Sequence, residues 1–292
     1  MKREQERLKL LPSHWAMVNG CRMHYRAAGR GQQSVVMVHG LTVSSTYLLP
    51  TAVELLDDFA VYVPDLPGFG ASEKPRRVLS IAEMAETLIA WMNAVGLERA
   101  YLLGNSLGCH TVAMVAAHHP ERVAGTILVA PHGDPGGRNT PRLVLRFMNN
   151  AVREPLSSWA IMFKDFLKAG PRRTLLTLRN LQQCPLEPWL PQVDVPALVV
   201  RGKRDRIVPG WWVDRVAALL PQGKAAVIPE AAHVPNYSHP EQLAELVRAF
   251  VESTTAFQTR DTAASVASAI ASVRSDRPGS RRSSQAQSGR NA

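Results

Sequence analysis

The chain has 292 residues, 46% of them apolar and 20% charged, with a net charge of +10. That length suits one large α/β domain or at most two small ones, and the balance is that of an ordinary globular protein. Three scattered cysteines (Cys21, Cys109, Cys184) form no C-x-x-C pair, which argues against a disulfide framework or a zinc site and fits a reducing compartment.

The first ten residues carry four basic and two acidic side chains and lack the apolar core of a signal peptide. No apolar run approaches the roughly 18 residues of a membrane span, so a cytoplasmic protein is expected. Six arginines against Asp261 and Asp276 lie in 253–292. Much of the net charge is therefore terminal, and no nucleic-acid motif accompanies it. The expected partner is a small-molecule substrate, with no cofactor and no metal; the oligomeric state is left open.

Residues 1–13 read as a charged N-terminal segment. Trp15–Val18 and Arg22–Ala27 then flank Asn19-Gly20, a dipeptide suited to a type I′ hairpin turn. Ser34–His39 is a near-continuous apolar run, the pattern of a strand buried on both faces. Similar runs follow at Ala60–Pro64, Tyr101–Gly104, Gly125–Ala130, Ala197–Arg201 and Ala225–Ile228. Helical patterns occupy Ser80–Val95, Leu107–His119, Trp211–Leu220 and Glu241–Val251. A hairpin feeding strand–helix repeats predicts a mostly parallel sheet covered on both faces, built from 14–131 and 196–252. Between them, 132–195 has no strand-like run. Trp159, Met162, Phe163, Phe166 and Leu167 there follow an amphipathic helical spacing, so a helical cap or lid is expected. From Ser253 the composition turns to Ser, Ala, Arg, Thr and Gln, too poor in large apolar residues to offset ordering entropy. A disordered tail over 253–292 is predicted, with a weak helix around 263–273.

Gly104-Asn105-Ser106-Leu107-Gly108 matches the G-x-S-x-G pattern, directly after one predicted strand and directly before a predicted helix. Strand, sharp turn and helix together form a nucleophile elbow, which holds a serine exposed above the strand ends. A serine hydroxyl needs a base to take its proton. Of nine histidines, His233 stands in the loop after the last strand, where a side chain can reach the sheet's carboxyl edge. His118 and His119 end a helix, His14 and His24 belong to the first hairpin, and His239 precedes Pro240 at a helix start. The base needs an acid to fix its tautomer, and Asp205 follows the strand Ala197–Arg201. Backbone N–H groups of Leu107, at the helix start, and Leu41, after the third strand, are the expected oxyanion donors. His39 is read as structural.

With Ser106, Asp205 and His233 in that chain order, the sequence resembles the α/β-hydrolase superfamily over residues 14 to about 252. Asp65-Leu-Pro-Gly-Phe-Gly-Ala-Ser72 is similar to that family's D-x-P-G-x-G-x-S loop, a structural signature. Cys109 departs from the second glycine many relatives carry after the elbow. The resemblance implies an α/β-hydrolase fold: an eight-stranded, mostly parallel sheet flanked by helices, with a helical cap. It also implies a serine hydrolase working through an acyl-serine, most simply a carboxylic ester hydrolase on a small to medium apolar substrate. Asn105, Trp159, Met162, Phe163 and Phe166 are the candidate pocket residues. Asn105 beside the serine is also similar to the elbow of carbon–carbon bond hydrolases of aromatic ring degradation. Against that, Leu41-Thr-Val-Ser replaces their glycine-rich segment and Val234 replaces their Trp. The same triad would also serve a cofactor-free perhydrolase, and the same fold a non-enzymatic ligand receptor.

Overall fold

The computed structural model describes residues 9–137 and 139–256. Asn19 and Gly20 turn at φ 52° and 74°, the left-handed pair that a type I′ turn requires. They join β1 (Ser13–Val18) and β2 (Cys21–Ala28) as the predicted antiparallel hairpin. Six more strands follow: β3 (Gln33–Val38), β4 (Phe59–Pro64), β5 (Ala100–Asn105), β6 (Val123–Val129), β7 (Ala197–Gly202) and β8 (Gly223–Ile228). The sheet runs β1-β2-β4-β3-β5-β6-β7-β8. β4 pairs antiparallel with β2, and the pairs from β4 to β8 are parallel. The eight-stranded, mostly parallel α/β architecture expected from the sequence is therefore present.

Every residue of β5 and β6 is buried. Apolar side chains are needed on both faces of such strands, which is why they read as unbroken runs rather than alternating ones. The faces separate by the strand period of two. Val36 and Val38 join one core cluster with α2 (Ile81–Ala94), α3 (Leu107–His118) and α7 (Gly210–Leu219). Val35 and Met37 join the other with α1 (Leu49–Glu54) and the helix α9 over 240–256. α2 shows how such a helix is specified. Ser80 and Glu83 form a reciprocal capping box at its start, and Ile81, Met84, Ala85, Leu88, Trp91 and Met92 make its buried stripe. Burial of side chains of this size contributes about 1.5–3 kcal/mol each.

Between β6 and β7 the described chain forms three helices and no strand: α4 (Thr140–Ala151), α5 (Leu156–Ala169) and α6 (Pro171–Gln183). The sequence pattern resolved only the middle one. It also missed the short turn of helix at Ser45–Leu48 and α1 behind it, too brief to show a 3.6-residue period. A further short helix, α8 (Pro235–Ser238), precedes α9.

One boundary needs correction. α9 runs on to residue 256, past the predicted start of disorder at 253. Once a helix is nucleated each added residue gains a hydrogen bond, so a polar stretch does not stop it at once. The chain divides into two units, residues 1–251 and 252–292, and all the candidate site residues belong to the first. The rest of the predicted tail, 257–292, and the helix expected at 263–273 lie outside the described residues, as do residues 1–8 of the charged N-terminal segment. Among the described residues no helix is long and apolar enough to cross a membrane.

Candidate active site

Parallel strands end on one edge of a sheet, and that edge gathers the residues singled out above. Ser106 follows β5 and caps α3 with φ 54° and ψ −111°, a conformation that costs a non-glycine residue about 1–3 kcal/mol. Its amide donates to Val129 O at 2.9 Å, which ties the turn to β6. Close approach makes the flanking glycines necessary. A Cβ on Gly104 would stand 2.4 Å from Gly108 O, and one on Gly108 would stand 2.3 Å from Val38 O. Ser106 thus sits in a strained turn wedged between β3, β5 and α3.

Asp205 lies in the loop after β7, buried, with Oδ1 accepting from the amides of Ile207 (2.7 Å) and Val208 (3.0 Å). Its Oδ2 meets His233 Nδ1 at 2.9 Å. A carboxylate only accepts, so Nδ1 carries the proton and Nε2 keeps its lone pair. Burial of His233 opposes the imidazolium. The Asp205 carboxylate outweighs it, by charge and hydrogen bond, helped by the charge of Glu154, and holds the ring above the ordinary histidine pKa.

Ser106 and His233 both line one cavity of about 390 Å³, within the range of small-molecule sites. Leu41 lines it too, while Leu107 is buried as the first residue of α3, where amides have no intrahelical acceptor. All five candidate pocket residues border the same space: Asn105, Trp159, Met162, Phe163 and Phe166. Asn105 differs from the other four as an amide at the cavity, and both its polar atoms are taken. Its Oδ1 accepts from Tyr47 Oη, whose oxygen in turn accepts from Gly40 N at 3.0 Å. Its Nδ2 reaches Val129 O and His233 O at 3.3 and 3.4 Å. It braces the ends of β3, β6 and the His233 loop rather than offering a free amide.

Three further histidines and Cys109 have partners or surroundings that account for them. Leu66 N donates to His39 Nε2 at 2.9 Å and His39 Nδ1 donates to Gly40 O at 2.8 Å. Both ring nitrogens are committed to loops, and burial lowers the ring's pKa. His24 bonds Asp65 at 2.8 Å. Asp65 also accepts from the amides of Ser45 and Ala71. Burial opposes its charge, and His24, His39 and those amides overcome it to hold the carboxyl below its usual range. His239 bonds Ser238 beside the start of α9. Burial raises the Cys109 thiol far above its usual range, so it is no nucleophile.

Sequence reasoning missed His132, which borders the cavity. Burial, reinforced by His110, His233 and Arg146, pulls its pKa down to about 3, so it presents a neutral ring. Its position three residues past the end of β6, a strand end that holds none of Ser106, Asp205 and His233, was a signal that could have found it. Tyr47 was also missed, because the short helix that carries it left no periodic trace.

The model of the family described as "Alpha/beta hydrolase family" matches residues 35–246. A pimeloyl-[acyl-carrier protein] methyl ester esterase of Edwardsiella ictaluri (strain 93-146) is 29% identical over 250 residues, covering 75% of this chain and 93% of that protein. Among solved structures, a membrane phospholipase A is similar with a TM-score of 0.75 and 26% identity, over 87% of this chain and 90% of the other. An esterase of Thermogutta terrifontis shares the fold with a TM-score of 0.70 and 24% identity, over 83% and 99%.

Proposed function

This chain belongs to the alpha/beta hydrolase family and is an enzyme of that fold, and we propose that it is a serine-dependent carboxylic ester hydrolase acting through an acyl-serine. One observation carries the reading. Ser106 is held strained at the start of α3 and shares a cavity with His233, whose Nδ1 is bound to buried Asp205.

The chemistry follows from that arrangement. His233 Nε2, left with its lone pair by the Asp205 bond, takes the Ser106 proton as Oγ attacks the ester carbonyl. The imidazolium formed is stabilised by Asp205. Charge on the former carbonyl oxygen is met by the amides of Leu107 and Leu41, with the positive end of α3 adding to the first. Collapse of the tetrahedral species expels the alcohol, which takes the proton from His233. Water, activated by the same ring, then releases the acid.

The helices α4 to α6 act in this reading as a cap that shapes the acyl site. Trp159, Met162, Phe163 and Phe166 give the cavity an apolar wall, which suits a small to medium apolar acyl group. The names of the relatives support an ester as the bond cleaved: one is a methyl ester esterase, another an esterase.

A fluorophosphonate probe and p-nitrophenyl esters of increasing chain length test the proposal. The probe should label Ser106, and Ser106→Ala should abolish both labelling and hydrolysis, with a loss of roughly 10⁴-fold or more in kcat. Undiminished turnover in that variant would remove Ser106 as the nucleophile.

A further inference from the structure

Glu154 stands in the turn between α4 and α5, far in sequence from every strand end, and is 9% exposed. A carboxylate in such a place is costly unless it is bonded. Its Oε1 accepts from the amide of His233 at 2.7 Å, the amide of Val234 at 3.2 Å and Asn150 Nδ2 at 2.8 Å. Three donors on one oxygen suit an ionised group, which can only accept. Its Oε2 is buried with no hydrogen-bond partner, and Glu154 has no cationic partner among the described residues. The charge is therefore not cancelled locally.

Asn150 extends the contact. It is the buried residue of α4, whose other positions are exposed or half-buried, and its Oδ1 accepts from Arg206 N at 3.1 Å. Arg206 directly follows Asp205. One acid and one amide of the helical segment thus grip the backbone of both loops that carry the Asp205–His233 pair. A structural role alone needs an acceptor here but no charge, since the neutral amide of Gln offers an oxygen to the same three donors without desolvating a carboxylate.

Resting on the acyl-serine reading above, we propose that Glu154 is a positioning residue for the reaction. With Asn150 it sets the spacing of the Asp205 and His233 loops, and its uncancelled charge favours the imidazolium that His233 becomes. The groups that face His233 are few. Asp205 comes from the loop after β7; His132, from the loop after β6, is neutral, and Arg146 of α4 acts on His132 and is itself held by Asp134 at 2.7 and 2.9 Å. Glu154 is the second negative charge in that set, and it acts on His233 in the same direction as Asp205.

Glu154→Gln separates charge from shape, because the amide keeps one oxygen for the three donors. The acid limb of kcat/KM, which reports the free base, should move to lower pH by about one unit, a tenfold change in the proton equilibrium. kcat at neutral pH should fall about tenfold with KM little changed. Titration of isotopically labelled histidine by NMR, in a Ser106→Ala background, should show the same downward move of His233. That signal is identified by its loss in His233→Gln, and it needs no turnover. Failure of the nucleophile reading would leave the titration result standing, so the two ideas fall separately. Glu154→Ala, which loses acceptor and charge together, should lower kcat further than Gln does. An unchanged pH profile and an unchanged His233 titration in Glu154→Gln, with only a lower melting temperature, would overturn the proposal.

Discussion

Two regions of the molecule meet at the cavity and are built in opposite ways. The strand ends are rigid: β5 and β6 are buried throughout, and Ser106, Asp205 and His233 are fixed by main-chain and side-chain bonds. In the helices over 140–183 few side chains are buried, and Val144, Phe147 and Phe163 border the cavity while 39–62% exposed. In the proposed reaction, groups that hold proton-transfer geometry gain from the stiffer element, whereas a wall that shapes an apolar space needs volume more than angle. Polar joints between the regions include Asn150 and Glu154 to the strand-end loops and Asp165 to Ser44, beside apolar ones through buried Ile161, Ala169 and Leu181.

The largest expected effect breaks the rigid side alone. Asp205→Asn should lower kcat by about 10⁴-fold through loss of the correct His233 tautomer, while a chain-length series keeps its KM pattern. A uniform loss of binding instead would mean that the strand ends also build the acyl wall.

A middle-sized effect probes a joint. Asp165 of α5 is buried and accepts from Ser44 Oγ at 2.6 Å. Burial is the main cause that raises its carboxyl from 3.8 to about 6, with the charge of Asp65 adding to it and the Ser44 bond opposing it. The folded protein therefore holds this proton more readily than the unfolded chain. The stabilising contribution is full below about pH 4 and is lost as pH rises through about 6. Asp165→Asn, which still accepts from Ser44, should stabilise the protein at pH 8 by up to about 3 kcal/mol, read as a higher melting temperature. Near pH 4 the two proteins should melt alike. Equal melting at both values would show that Asp165 is not desolvated against the 41–48 loop.

The smallest effect belongs to the wall. Phe163→Ala should raise KM about threefold to tenfold for a longer acyl ester and leave an acetate ester unchanged. A kcat loss on both would tie Phe163 to the chemistry and erase the division between the two regions.

How much of this was legible in the sequence follows the same division. A strand buried on both faces has to be apolar along its length, so β3, β5, β6 and β7 were visible as runs. A strained turn that needs glycine on both sides left its own signature around Ser106. The segment over 140–183 was legible only as a gap without strands, because α4 and α6 carry few buried positions to enforce a period. Tyr47 left no pattern, since a single residue in one turn of helix has no periodicity to betray it, and His132 left only its place beyond a strand end. Glu154 was unreadable for a further reason: an acid in a short connection looks like any solvent-facing charge until the fold closes over it.

The amino-acid sequence by itself determined the sheet, the order of Ser106, Asp205 and His233 along it, and the family. Those rest on local patterns, the strand run and the glycine-flanked turn, that backbone sterics and burial impose residue by residue. Only the tertiary structure decided which atoms are already committed. It tied Asn105 to Tyr47, the end of β6 and the His233 loop, left His132 neutral at the cavity and set Glu154 against the amide of His233. Such pairings join residues tens of positions apart, and the desolvation that gives them their energy exists only once the chain has excluded water around them.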